Sequence, residues 1–203
     1  MTSIYIGFVG PIATGKGVLV DHLKDLGFRD FSLSNKLRDE AHSRGIKITR
    51  ENLQDLGDHL RATYGNQILA ERVAFDLIGE KGNIVIDSIR NPGEVEYLRS
   101  FNPNIKIIGI DAPIDKRIVW YTKRAMERGE DNPDMSAFID VSLRDRGVDQ
   151  AENGQQVDQC LKIADIVLEN SGTISDIIYE LNKYLRTELN FDPEIRQRRH
   201  KEK

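Results

Sequence analysis

Ile4-Tyr5-Ile6-Gly7-Phe8-Val9-Gly10-Pro11-Ile12-Ala13-Thr14-Gly15-Lys16-Gly17-Val18 is the stretch that decides the fold of this chain. Its first six residues are short, apolar and β-rich, the pattern of a strand buried on both faces. Gly10-x-x-x-x-Gly15-Lys16 follows directly, and residues 18–26 then read as a helix stopped by Gly27 as a C-terminal cap. A glycine-rich turn between strand and helix lets several backbone N–H groups face phosphate oxygens, and the helix N-terminus adds partial positive charge. Lys16 can then reach the β- and γ-phosphates. Residues Gly10, Ile12, Ala13, Thr14, Gly15, Lys16, Gly17 and Val18 are therefore expected to hold ATP.

Working outward, strand-like runs recur at 83–87, 105–111 and 163–168, and 28–33 supplies a fifth. Apolar strands separated by helix-length connections indicate a parallel sheet covered on both sides. The expected fold is three-layer α/β of the P-loop NTPase type, with a five-stranded parallel sheet. Residues 34–78 read as wholly helical with interruptions near Gly45 and Gly65, and Thr49 resembles a capping start. That is more helix than one crossover needs, so an insertion at about 34–79 is expected to form a small helical lobe beside the sheet. Helices are expected at 113–128 and 135–146, joined by the turn-forming segment 129–134. A last helix covers 174–189, and 191–203 is a basic tail. The core of the single domain is then 1–33 and 80–190.

Bulk properties narrow the class. A chain of 203 residues with 39% hydrophobic and 31% charged side chains fits one globular domain. The sequence shows neither an apolar run of membrane-spanning length nor the start of a signal peptide. The single cysteine, Cys160, excludes an intrachain disulfide and fits a reducing, cytoplasmic setting. A net charge of −4, from 29 basic and 33 acidic side chains, argues against a dedicated nucleic-acid binder. The four histidines, His22, His42, His59 and His200, lack the spacing of a zinc site. Small-molecule nucleotides are the expected partners.

The residue after Lys16 is Gly17 rather than the Ser or Thr that ligates magnesium in many phosphate loops. Mg2+ is then expected to be held by the nucleotide, by waters and, through water, by Asp87 at the C-terminal end of its strand. At this point the chain resembles the nucleoside monophosphate kinases. Gly-Pro-x-x-x-Gly-Lys-Gly is the loop form of adenylate kinases, and Phe31-Ser32-Leu33-Ser34-Asn35-Lys36-Leu37-Arg38 is similar to the segment that opens their acceptor site. Asp87-Ser88-Ile89-Arg90 resembles their Asp-Gly-x-x-Arg region, one residue shorter. A broader likeness covers nearly the whole chain. It is to kinase-like proteins related to AMP/CMP kinases and dephospho-coenzyme A kinase, and to the kinase-like N-terminal part of some deoxycytidylate deaminases. It rests on Asn52-Leu53 to Leu60-Arg61, Asp87 to Glu96, Arg144-Asp145, and Asn170-Ser171-Gly172-Thr173. The resemblance implies Ser32, Arg38, Arg61 and Arg90 as acceptor contacts, makes about 34–79 an acceptor-binding lobe and about 117–146 a short lid, and places Gly172 near the donor base. Adenylate kinases carry Thr where this chain has Val18, which offers no hydroxyl.

Phosphoryl transfer spreads negative charge in its transition state, and arginine forks match phosphate oxygens. Arg117, Arg124 and Arg128 lie seven and four residues apart, on one helical face, with Arg144 and Arg146 on the next helix. Arg124, Arg128 and Arg144 are expected to join Lys16 and Arg90 in catalysis. Trp120 and Tyr121 read as packing residues. The sequence thus points to a kinase acting on a small phosphorylated acceptor, a nucleoside or deoxynucleoside monophosphate. Dephospho-coenzyme A kinase is a second reading, which needs a carboxylate base from among Asp21, Asp30 and Asp39. A nucleotide-sensing module without efficient turnover is a third.

Overall fold

A computed structural model describes residues 3–128 and 131–194, except for the Arg128 side chain. The basic part of the expected tail, from residue 195 on, lies outside the described residues. The five expected strands are present: β1 (Tyr5–Val9), β2 (Arg29–Ser32), β3 (Ile84–Ile89), β4 (Lys106–Asp111) and β5 (Ile166–Glu169). All pair in parallel, in the order β2-β3-β1-β4-β5. Side chains alternate across the pleat, so neighbouring residues feed opposite cores. Val85 packs with Ile6, Phe8 and Ile108 against helices α1 (Lys16–Asp25) and α9 (Ile174–Leu189). Ile84 and Ile86 face the other side, against α2 (Leu33–Ser43), α3 (Arg50–Tyr64), α4 (Ile68–Leu77) and α5 (Pro92–Phe101).

The chain between β2 and β3 is helical, as expected, and breaks at Gly45 and Gly65, whose φ angles of 67° and 100° favour glycine. Thr49 caps α3, its hydroxyl accepting from the Asn52 N–H at 3.2 Å. Two helices were not foreseen. Asn91-Pro92-Gly93-Glu94 forms a capping box that starts α5. A short α8 (Val157–Lys162) ends with Ile163 and Ala164 bonded back to Cys160 and Leu161. That ending moves β5 to Ile166, three residues later than its apolar run suggested.

Helices α6 (Ile114–Arg128) and α7 (Met135–Arg146) sit where the sequence puts them. They share a small core of Tyr121, Phe138 and Val141 with Ile12 of the loop after β1. Between Gly7 and Val9 the pairing with β3 slips by one residue, and Ser88 takes a φ of 66°. This irregularity at the C-terminal end of β3 fixes where Asp87, Ser88 and Arg90 enter the site. Among the described residues, no helix is long and apolar enough to cross a membrane.

Candidate active site

The loop from Gly10 to Lys16 turns back on itself because three residues adopt positive φ: Gly10 at 149°, Ala13 at 62° and Gly15 at 90°. Gly10 also lies against β4, where an added Cβ would meet the Ile110 carbonyl oxygen at 2.1 Å. Its neighbour Ile12 is held through both main-chain groups. The Asp145 carboxylate accepts from the Ile12 N–H at 2.6 Å, and Arg117 Nε donates to the Ile12 carbonyl at 2.9 Å. Arg117 also reaches Ser142 on α7 at 2.7 Å. On the far side, the Asn170 amide donates to the Thr14 carbonyl at 3.0 Å. The loop is thus shaped by residues from α6, α7 and the turn after β5.

Lys16 lies across the loop. Its ammonium donates to the carbonyls of Gly10 at 2.6 Å and Pro11 at 2.7 Å, and to the Thr14 hydroxyl at 3.3 Å. Burial and then the nearby Arg90 charge lower its pKa to about 7, with Asp87 and Asp145 opposing the shift. A charged ligand oxygen in the loop would favour the protonated form.

A cleft of about 740 Å3 opens in front of the loop. Its walls include Ile12 to Val18 from the loop and α1, Ser32, Ser34 and Arg38 from β2 and α2, and Asp87, Ser88 and Arg90 from β3. Arg50 of α3, Trp120 and Arg124 of α6, and Asn170 close it. The sequence therefore located Lys16, Ser32, Arg38, Asp87, Arg90 and Arg124 in one place. It did not bring forward Arg50, Ser34 or Ser88, and it took Trp120 as packing. The spacing that put Arg38 beside Ser32 also carries Ser34. Nothing local marks Arg50, which reaches the cleft because α3 starts there. A second groove of about 870 Å3, along α5 and α8, is larger, but its described walls carry no Lys, Arg or His. The smaller cleft is the one lined by the glycine-rich loop and by Lys16, Arg38, Arg50, Arg90 and Arg124.

Three expected residues stand elsewhere. Arg61 is only 3% exposed and pairs with Glu94 at 3.0 Å, beneath the start of α5, with Asp58 at 3.3 Å. Arg144 turns to α3, 2.7 Å from Asp55 and 2.6 Å from Asp58. The helical spacing placed these side chains on a face, but the acidic partners that claim them are remote in sequence. Gly172 does not line the cleft either; its carbonyl accepts from Lys116. Arg128 lies outside the described side chains. Of the candidate carboxylate bases, Asp21 and Asp30 line the cleft and Asp39 does not.

The arginines of the cleft are organised by buried acids. Arg90 pairs with Asp145, the residue that also holds Ile12. Arg50 and Arg124 share Asp131, at 2.8 Å and 3.0 Å. Burial pushes the Asp131 carboxyl up, but the hydrogen bonds and charges of Arg50 and Arg124 outweigh it and hold it below the usual range.

For magnesium, Asp87 fits as one ligand group: its Oδ1 is buried and accepts no hydrogen bond, while Ser88 donates to Oδ2 at 3.1 Å. No cluster of three or more His, Cys, Asp or Glu that could hold a metal occurs among the described residues. Nucleotide oxygens and waters would have to complete the shell.

No family model matches the chain. It is 30% identical over 171 residues to a UPF0200 protein of Methanothrix thermoacetophila, covering 84% of this chain and 90% of that one. It is 28% identical over 200 residues to a UPF0200/UPF0201 protein of Archaeoglobus fulgidus, covering 96% of this chain but 59% of that longer protein. In fold it is similar to a shikimate kinase of Bacteroides thetaiotaomicron, with a TM-score of 0.52 and 12% identity over 90% of this chain and 98% of that one. The three-layer architecture is that of P-loop kinase folds.

Proposed function

The chain belongs to the UPF0200 family, and from that premise we propose that it is an ATP-dependent phosphotransferase acting on a small phosphorylated acceptor. The observation that carries the reading is the cleft itself, where Lys16 of the phosphate loop shares one wall system with Arg38, Arg50, Arg90 and Arg124. Five cations around one cleft match two phosphorylated ligands and the charge that spreads between them during transfer. In this reading the helical insertion 34–79 is the acceptor-binding lobe and 117–146 the lid. The reaction breaks the bond between the γ-phosphorus and the ADP oxygen and forms one to an acceptor oxygen. An ionised phosphate oxygen needs no general base.

Backbone N–H groups of the loop and Lys16 hold the β- and γ-phosphates. Asp145 keeps Ile12, and so the loop, in register, and orients Arg90 toward the acceptor. Arg38 binds the acceptor's phosphate. Trp120, Val18 and Asn170 stand at the donor end. Asp87 would hold magnesium through water, and the ion would supply charge neutralisation for the phosphates. The test is a coupled ADP-release assay with ATP and Mg2+ over a broad panel of phosphorylated small molecules, paired with ATP titration of wild type and Lys16→Ala. Lys16-dependent ATP binding with acceptor-stimulated ADP release is expected. ATP binding that ignores Lys16, or no acceptor above the rate with ATP alone, ends the proposal.

A further inference from the structure

Resting on that reading, we infer that the acceptor is a phosphorylated polyol, a sugar-phosphate-like molecule without a nucleobase. The evidence is the chemistry of the acceptor half of the cleft. The wall from β2, α2, α3 and β3 presents Asp30, Ser32, Ser34, Arg38, Ser88 and Arg90 to the cleft, all hydrogen-bonding or charged, and Leu33, Leu37 and Leu53 behind them open onto only about 20 Å3. The apolar lining residues, Ile12, Ala13, Val18, Trp120 and Ile174, belong instead to the loop, α1, α6 and the start of α9. A nucleobase presents two apolar π-faces, and the sites that hold one supply aromatic or aliphatic surfaces to stack on. The donor end offers such surface in Trp120 and Ile174.

The acceptor half is built for hydroxyl groups. Ser32, Ser34 and Ser88 come from three different elements, yet their hydroxyls form one cluster. Ser32 and Ser34 are 3.0 Å apart, Ser88 Oγ lies 3.3 Å from Ser34 Oγ, and Ser32 reaches Ser88 at 3.5 Å. Arg38 anchors the cluster through Ser34 Oγ at 2.9 Å. Each serine hydroxyl can donate one bond and accept two, so the trio can exchange its internal bonds for bonds to vicinal hydroxyls of a ligand. The carboxylate of Asp30 on β2 adds acceptors for hydroxyl donors. Arg38 and Arg90 answer the phosphate. The arrangement comes from the irregular end of β3, which turns Ser88 to positive φ next to Ser32 and Ser34.

The experiment measures binding, so that it is independent of turnover. With an unhydrolysable ATP analogue and Mg2+ present, calorimetry compares D-ribose 5-phosphate, D-glucose 6-phosphate and myo-inositol 1-phosphate with AMP, CMP and UMP. Ribose 5-phosphate and the nucleotides share the phosphorylated ribose, so the base is the main difference between them. At least one sugar phosphate is expected to bind at least tenfold tighter than every nucleotide. Ser34→Ala and Arg38→Ala are each expected to weaken that binding at least tenfold while ATP-analogue affinity stays within twofold. A nucleotide that binds as tightly as the best sugar phosphate, or the failure of all three sugar phosphates, overturns the inference. Phosphoryl transfer to a nucleotide in the ADP-release assay would overturn it too, while leaving the phosphotransferase reading in place.

Discussion

Lys16 carries the largest pH sensitivity of the site. Its pKa lies near 7 in the folded protein, against 10.5 for the free side chain. Between those values the unfolded chain binds more protons than the folded one, so this residue makes stability rise with pH over that window. Relative to Lys16→Met, the unliganded wild type is expected to gain stability from about pH 7 to about pH 9. The gain is at most about 1.4 kcal/mol per pH unit, read by urea unfolding. ATP binding needs the charged form, so affinity is expected to fall over the same window, by up to about tenfold per unit. Affinity that stays flat with pH would remove Lys16 from the phosphate site. Two glycines of the loop should behave oppositely. Gly17 has nothing within 4 Å of an added Cβ, so Gly17→Ser is expected to fold within about 0.5 kcal/mol of wild type and to offer magnesium a hydroxyl. Gly10→Ala meets the Ile110 carbonyl at a φ of 149° and is expected to cost more than about 3 kcal/mol. Equal stabilities of the two variants would contradict the loop geometry.

At the scale of elements, α3 shows why helical spacing alone did not assign the arginines. Arg61 and Arg144 both occur in segments that resemble kinase motifs, but α3 supplies Asp58 to both and β3 leads to Glu94 at the start of α5. Removing Arg61 leaves Glu94, fully buried, without its cation. Arg61→Ala is therefore expected to lose about 3–5 kcal/mol in denaturant unfolding. Arg144 is a quarter exposed, and Arg144→Ala should lose about 1 kcal/mol or less with the ADP-release rate within threefold of wild type. A hundredfold rate loss in Arg144→Ala would return it to the catalytic set. Elements with strong local signals were legible: β1 and the loop from glycine spacing, α3 from its Thr49 cap, α6 and α7 from their flanking turns. Helix α5 also had its Asn91-Pro92-x-Glu94 box in plain view, but it was subsumed in a motif. Helix α8 is six residues long and gives too few turns for a period to show. Arg117 could not be separated from Arg124 by spacing, because burial against Ile12 and Ser142 depends on how α6 meets the loop.

For the whole molecule, the sheet order and the position of the cleft follow from parallel strands whose carboxyl ends converge, and this much the apolar runs foretold. The make-up of the wall around Ser32, Arg38, Arg50 and Ser88 was not legible, since it joins β2, α2, α3 and β3 from positions more than fifty residues apart. A ligand that binds only the folded chain stabilises all of it. At a hundred times its dissociation constant, ATP is expected to add about 2.7 kcal/mol to wild type and nothing measurable to Lys16→Ala, seen as a rise in Tm. A rise of the same size in Lys16→Ala would place ATP elsewhere. The wall of the cleft also contains Trp120, the single tryptophan of the chain. Every indole photon the protein emits therefore originates beside the cleft. The protein carries its own optical probe there, so titrations of either ligand can be followed by emission intensity without a label or an engineered reporter.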